Sequence, residues 1–355
     1  MILHLIAYDK FTEDFIKRTN YLFDESEHLF FVFGKKSDDN IKSINANVNN
    51  VVYREKFSNR FSCGLFLLRK ILVANKVIIH ALFFSDLYLR LLLLLQPIAG
   101  NKYFWNIWGY DLYNAYWERE KTPKREKLRI RFIRKLKAVG YIPKDYEFLC
   151  KHYKTVAKFY LASYSYDFFT PETDVSEEDK QTINILLGNS ATEECQYEKS
   201  IDILEKYLDK PIKVKCVLSY PKENQKYREK IIEYGHKKLG DRFIPLVGFM
   251  TYEKYMKLLS GIDIAIFNHN RQQALGNIAS LLYLGKRVYI NPENGCKDYF
   301  EHMGAKVFST DNLTEADICK SDCIELKYLN RKAIDEFFSD EQFKKRWKKI
   351  FDNKY

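Results

Sequence analysis

The chain has 355 residues, of which 46% are hydrophobic and 30% charged, with 26 Tyr and 26 Phe. That length accommodates two domains with separate cores, and the composition excludes a disordered or low-complexity chain. A net charge of +11 points to an anionic partner such as phospholipid, nucleic acid or a phosphorylated substrate.

In chain order, the first half opens on an apolar strand over residues 2–7, then a helix over 15–23 and a strand over 29–33 ending at Gly34. Asp9 and Lys10 cut the first apolar run short, so nothing reads as a signal peptide and the cytosol is the expected compartment. The seven cysteines form no C-x-x-C pair, and Cys319 and Cys323 have no histidine pair nearby, so reduced thiols are expected. A helical pattern at 65–73, a strand at 77–80, a helix at 87–95 and a strand at 103–107 follow. The most apolar run, 87–98, is interrupted by Arg90 and Gln96 and is shorter than the ~18 residues a membrane span needs. It reads as a core helix, with a dip into a lipid surface as the alternative.

Basic residues then crowd the stretch from Arg119 to Lys137, opposed only by Glu120 and Glu126. Leu128, Phe132, Leu136 and Val139 recur among them at helical spacing. The stretch is either a solvated face or a basic amphipathic helix lying on anionic lipid, with Arg125, Arg129, Arg131, Arg134 and Lys135 as membrane contacts.

Residues 1–170 thus form one α/β domain and 182–330 a second. The acidic, polar stretch 171–181 reads as the linker, and 331–355 as a terminal helical segment built on Ala333, Phe337, Phe343 and Trp347. In the second half, strands are expected at 182–187, 213–218, 243–247, 262–267, 287–290 and 306–308, with helices between them. Ser190 and Glu193 match a capping box, Thr251 sits at an N-cap position, and Gly240, Gly261, Gly285 and Gly304 close helices. Regular β-α alternation implies parallel sheets covered on both faces.

Two strand-to-helix junctions carry the chemistry. One is Asn268-His269-Asn270-Arg271-Gln272-Gln273-Ala274-Leu275-Gly276-Asn277, and the other is Leu187-Gly188-Asn189-Ser190. A helix start offers N–H groups and partial positive charge to phosphate, and a guanidinium adds a bidentate clamp. Two such junctions imply a diphosphate ligand, hence a nucleotide sugar, with Gln272, Gln273 and Asn277 as supporting donors. Tyr220 and Tyr227 are candidates for stacking on base or ribose. No G-x-G-x-x-G follows the first strand, no P-loop or H-E-x-x-H is present, and no D-x-D pair stands out, so neither a cofactor nor a metal is expected.

The segment Tyr103-Phe104-Trp105-Asn106-Ile107-Trp108-Gly109-Tyr110-Asp111-Leu112-Tyr113 resembles the W-G-x-D-L-Y signature of glycosyltransferase family 56, the TDP-N-acetylfucosamine:lipid II N-acetylfucosaminyltransferase or 4-alpha-L-fucosyltransferase family. Gly188-Asn189-Ser190 is similar to its G-N-S turn, and Tyr220-Pro221 with Asn224 and Tyr227 to its Y-P-x-x-N-x-x-Y element. Arg271-Gln272-Gln273-Ala274-Leu275-Gly276 resembles its R-Q-Q-x-x-G, and Asn291-Pro292-Glu293-Asn294 its N-R-E-N loop with proline in place of arginine. The resemblance implies a GT-B fold: two Rossmann-like parallel-sheet domains facing a cleft, with acceptor and nucleotide-sugar domains. It further implies a TDP-linked deoxy-amino sugar, a lipid-pyrophosphate-linked saccharide acceptor and a peripheral position at the cytoplasmic face of a bacterial inner membrane, with no nucleic-acid partner. Residues 35–75 depart most from the family.

An inverting transfer needs a base for the acceptor hydroxyl. Asp111, Asp9 and His80 are the candidates, Asp111 leading because it sits in the strongest motif. Trp108, Gly109 and Tyr113 of the same motif are the candidate acceptor contacts. Competing readings are a transferase of another nucleotide sugar in capsule or O-antigen assembly, and a non-catalytic GT-B relative that binds membrane or nucleic acid through the basic helix.

Overall fold

A computed structural model describes residues 1–9, 11–34, 48–162, 164, 182–221, 223–319 and 324–353. The chain divides into two compact units, Met1–Tyr166 with Phe338–Tyr355, and Asp167–Phe337. The expected linker, 171–181, lies outside the described residues.

The first unit contains β1 (Ile2–Ala7), α1 (Thr12–Leu22), β2 (His28–Phe33), β3 (Val51–Tyr53), α2 (Arg60–Val73), β4 (Lys76–His80) and α3 (Asp86–Ala99). It continues with β5 (Tyr103–Asn106), α4 (Tyr110–Trp117), α5 (Pro123–Ile133), β6 (Ala138–Gly140), α6 (Pro143–Tyr153) and β7 (Lys158–Tyr160). Its strands form one sheet in the order β3-β2-β1-β4-β5-β6-β7, every pair parallel. The second unit contains β8 (Ile183–Leu187), α7 (Tyr197–Glu205), β9 (Ile212–Val217), α8 (Gln225–Leu239), β10 (Phe243–Leu246) and α9 (Tyr252–Ser260). Then come β11 (Ile264–Phe267), α10 (Leu275–Tyr283), β12 (Arg287–Ile290), α11 (Cys296–His302), β13 (Phe308–Ser309), α12 (Glu315–Cys319) and α13 (Ile324–Phe338). Its parallel sheet runs β10-β9-β8-β11-β12-β13. In both sheets the order reverses beside the first strand, at β1/β4 and at β8/β11, where doubly wound sheets bind ligands beyond the strands' carboxyl ends.

Burial on both faces explains the nearly unbroken apolar strands. In the first unit, Leu3 and Leu5 of β1, Val77 and Ile79 of β4, and Tyr103 and Trp105 of β5 face a core shared with α2, α3, α5 and α6. The alternate positions, His4, Phe30 and His80, meet Phe15 of α1 and Trp347 and Phe351 of α14 (Asp340–Asp352). Where one terminal helical segment was expected, two helices stand.

Local signals are well honoured in the second unit. The Thr251 hydroxyl accepts from the Lys254 N–H at 3.4 Å and starts α9. Gly240 at φ +57° ends α8. One cap is corrected: Ser190 caps no helix, because α7 begins only at Tyr197 behind a left-handed Gln196. The short strands β3, β6 and β7, three residues each, were not anticipated. No helix among the described residues is long and apolar enough to cross a membrane.

Candidate active site

In the second unit, β8 runs into Gly188, whose φ of +56° a side chain would strain. A Cβ there would also come within 2.5 Å of the Tyr197 hydroxyl, which sits 2.8 Å from the Ser190 carbonyl and 2.6 Å from that of Val217. The chain turns through Asn189 and the buried Ser190, whose hydroxyl lies 3.2 Å from Thr192 Oγ1 and 3.4 Å from Cys195 Sγ. The loop after β9 is fastened to this turn: the Asn224 amide donates to the Ala191 carbonyl at 2.9 Å. From that loop Tyr220 projects, 67% exposed, while the half-buried Tyr227 keeps its hydroxyl beneath the surface with no hydrogen-bond partner among the described residues.

The β11 junction meets the same turn. The Asn270 N–H donates to the Glu194 carbonyl at 3.0 Å, Gln196 Nε2 to the Asn268 carbonyl at 2.9 Å, and Gln273 Nε2 to Cys195 Sγ at 3.3 Å. Arg271, only 7% exposed, holds its Nε 3.6 Å from the Glu194 carboxylate and donates from Nη1 to the Gln272 carbonyl at 3.1 Å. Asn294, in the loop after β12, donates to the His269 carbonyl at 3.0 Å. Four loops at the carboxyl edge of one sheet are therefore fastened into one assembly at its switch point.

The helix that follows, α10, starts behind Ala274 at φ +61° without a side-chain cap. The first-turn N–H groups, those of Gly276 and Asn277 among them, so have no capping side chain, as an anion-receiving helix start requires. Glu194, Cys195 and His269 were missed by sequence reasoning. Burial alone would raise the Cys195 thiol, but His269 beside it and the Ser190 and Thr192 hydroxyls bring it down to about 6. No local sequence signal joins Cys195 to His269; only the meeting of two loops does. Among the described residues no group of three His, Cys, Asp or Glu is placed to hold a metal.

In the first unit the carboxyl edge of β1, β4 and β5 bears Asp9, the 81–84 turn and the Trp108–Gly109 turn. Asp111 does not present its carboxylate to solvent. It is 2% exposed and accepts from the N–H groups of Leu82 at 2.8 Å and Trp108 at 2.9 Å and from Trp105 Nε1 at 2.9 Å. Burial raises its pKa, against those three bonds and the nearby Arg129 guanidinium. Such a saturated carboxylate ties the β4 and β5 loops together, which corrects its expected role as the base.

His80 is also fully buried and is corrected likewise. Its Nε2 is 3.1 Å from His4 Nδ1, its Nδ1 is 2.5 Å from the Tyr164 hydroxyl, and burial pushes its pKa down to about 3. Asp9 differs from both. It is half-buried at the end of β1, and its Oδ1 has no hydrogen-bond partner among the described residues.

Trp108 is half-buried, its Nε1 donating to the Tyr164 hydroxyl at 2.6 Å. Gly109, at φ +86°, starts α4. Tyr113, by contrast, is 5% exposed and donates to Asp145 at 2.8 Å inside the core, so it is no acceptor contact. The rings that do share the rim with Trp108 are Phe83, 6.1 Å away and 40% exposed, and Tyr110, 6.0 Å from Phe83 and 50% exposed. Neither was anticipated, although Tyr110 occupies the variable position of W-G-x-D.

The basic helix is corrected too. It spans 123–133, and Phe132, Leu136 and Val139 are fully buried, so its apolar side belongs to the protein core. Arg129 is 3% exposed, donates to the Leu82 and Asp111 carbonyls and lies 3.3 Å from Glu126, which removes it from any membrane-facing set. Arg125 donates to the Phe84 carbonyl and Arg134 to that of Tyr153, and Arg131, Arg134 and Lys135 are all exposed.

Residues 24–354 match the family described as 4-alpha-L-fucosyltransferase, glycosyl transferase group 56. The chain belongs to glycosyltransferase family 56. Solved structures agree at the level of fold. A sucrose-phosphate synthase from Thermosynechococcus elongatus is 10% identical with a TM-score of 0.67, covering 99% of this chain and 98% of its own. The glycosyltransferase WaaG, involved in lipopolysaccharide biosynthesis, is 11% identical with a TM-score of 0.58 over 99% of both chains. HepE of Anabaena, solved with UDP and glucose, is 12% identical with a TM-score of 0.65 over 98% of both. The family 56 chain is thus a glycosyltransferase with two parallel-sheet units of the GT-B type.

Proposed function

We propose that this glycosyltransferase moves a deoxy-amino sugar, N-acetylfucosamine, from TDP to a lipid-pyrophosphate-linked saccharide in bacterial surface polysaccharide synthesis. It works as a peripheral enzyme at the cytoplasmic face of the inner membrane. The observation that carries the reading is the joining of the Gly188 and Arg271 turns at the β8/β11 switch point, ahead of the uncapped start of α10.

In this reading the turn at Gly188, Asn189 and Ser190, with Arg271 and the amides of Gly276 and Asn277, receives the diphosphate. Gln272 and Gln273 support them, and Tyr220 and Tyr227 border the nucleoside. Phe83, Trp108 and Tyr110 receive an acceptor sugar on its apolar face. Asp9 takes the proton of the acceptor hydroxyl as its oxygen bonds to the anomeric carbon. The bond from that carbon to the diphosphate oxygen breaks, and the electron pair stays on the diphosphate. Fixed dipoles and a buried guanidinium meet the developing charge without reorganisation, so the proposal calls for no metal.

A thermal-shift panel of TDP, UDP, GDP and CDP in chelator tests it. One nucleoside diphosphate should raise Tm, and Arg271→Ala should abolish that rise. A rise with TDP supports the TDP donor. A rise with UDP favours another nucleotide sugar, a reading supported by the UDP bound in HepE. No rise with any of the four refutes the donor site.

A further inference from the structure

The outward face of α3 is apolar where a surface helix should be polar. Leu87 is 47% exposed, Leu94 73% and Ile98 72%, with the exposed Pro97 and the half-buried Leu91 on the same side; Arg90 is the one charge among them. These positions recur at three- and four-residue steps, so they form a single ridge along the helix. The end of α2 adjoins the same region, because Lys102, in the turn that follows α3, donates to the Leu72 carbonyl at 3.1 Å. Leu72 and Val73 are 42% and 67% exposed there. Inner residues of α3, Leu89, Leu92 and Leu95, are buried in the core, so the helix needs no further apolar contact to fold.

Charge identifies what covers the ridge. Helix α2 contains Arg60, Arg69 and Lys70 and no acidic residue. The acidic residue of α3, Asp86, is paired with Arg125 at 3.4 Å, and that of α5, Glu126, is buried against Arg129. The exposed charge around the ridge is therefore cationic, with Lys124, Lys127 and Arg131 on the neighbouring α5. A large aliphatic ridge flanked by unpaired cations matches an anionic bilayer, which takes aliphatic side chains below its headgroups and attracts basic ones at its surface.

We propose that α3, with the end of α2, is the membrane-inserting surface of this enzyme, and that α5 supplies the electrostatic flank. The inference rests on the peripheral-membrane reading above and assigns it to a different helix from the one the basic run suggests.

Co-sedimentation of the full chain with phosphatidylcholine vesicles, with and without phosphatidylglycerol, tests it. Wild type should bind the anionic vesicles. Leu94→Glu/Ile98→Glu, both on exposed positions, should weaken binding tenfold or more, about the effect of removing two inserted aliphatic side chains. Lys127→Glu/Arg131→Glu should also weaken it, each basic residue near the surface contributing about fivefold. Leu94→Trp should show blue-shifted fluorescence quenched by brominated acyl chains, a signature that surface attraction alone does not produce. If wild type binds anionic vesicles but the glutamate pair on α3 binds equally well and Leu94→Trp is not quenched, the α3 assignment is overturned while the membrane reading stands. If wild type binds neither kind of vesicle, both fall.

Discussion

A hydrogen-bonded row of three histidines crosses the first sheet, and it makes stability depend steeply on pH. His28 Nδ1 is 2.9 Å from His4 Nε2, His4 Nδ1 is 3.1 Å from His80 Nε2, and His80 Nδ1 is 2.5 Å from the Tyr164 hydroxyl. Burial keeps all three rings neutral, and because each contact then joins one donor to one acceptor they share one tautomeric direction. Burial, above all, holds His4 well below the ordinary histidine value and His28 at about 4, the amino terminus adding to the latter, and burial holds His80 at about 3. The folded values are depressed, so the unfolded chain takes up protons first. Stability is complete above about pH 6.5, the unfolded value, and falls as pH drops towards the folded values. At pH 5.5 each unfolded histidine is mostly protonated and each folded one is not, which costs about 1.4 kcal/mol per ring and ~4 kcal/mol for three relative to pH 7.5. Urea unfolding of the first unit's transition at the two pH values measures this loss. His28→Gln should reduce it by about a third, whatever its effect on absolute stability. Equal stability at pH 7.5 and 5.5, or any of these three imidazoles titrating near 6.5 in the folded protein, would refute the neutral chain.

The remaining predictions separate structural from chemical roles. Asp111→Asn should cost about 2–4 kcal/mol of stability, because an amide cannot accept all three N–H bonds that the carboxylate now accepts. Asp9→Asn should leave unfolding nearly unchanged and lower kcat about a hundredfold or more; a fully active Asp9→Asn enzyme removes it as the base. Gly188→Ala should destabilise by ~2–4 kcal/mol, since φ is +56° and the buried Tyr197 ring cannot yield to the new methyl; unchanged urea unfolding would contradict this. Phe83→Ala and Tyr110→Ala should each raise the acceptor KM about twofold to tenfold with donor KM unchanged, measured in a coupled nucleoside-diphosphate release assay.

What the sequence disclosed, and what it withheld, follows from where each signal is stored. Strand-and-glycine punctuation is local, so β11 ending at Phe267 and a helix after the junction could be read from the chain, as could the helix endings at Gly240 and Gly285, although α10 starts at Leu275, inside the junction. β-α alternation put both turns at the carboxyl ends of strands in one parallel sheet, whereas their meeting at the β8/β11 switch point depends on strand order. Burial and partner choice are non-local and were not readable. Asp111 looked like a base because it sits in the strongest motif of the first half, yet its three donors come from residues 82, 105 and 108, which only the β4–β5 pairing brings together. Arg129 looked like a lipid contact because it is one cation among many in the basic run, until α5 docked and aimed it at the Leu82 and Asp111 carbonyls.

The error about α5 is instructive because the periodicity was real and its destination was not. Leu128 and Phe132 do share one face of α5, and that face packs into the core of the first unit, which Leu136 joins from the turn beyond the helix. A helix that both carries an apolar stripe and packs in a βα layer has spent the stripe on the core. A second, outward stripe is then the signal of an external apolar phase, and α3 has one, buried on one side through Leu89, Leu92 and Leu95 and exposed on the other through Leu87, Leu94 and Ile98. The sequence held that signal as an unusually uniform run from Leu91 to Leu95, which a single core-facing helix does not need. Inward and outward leucines in that run can be told apart only once the sheet has claimed Leu92 and Leu95 and left Leu94 uncovered.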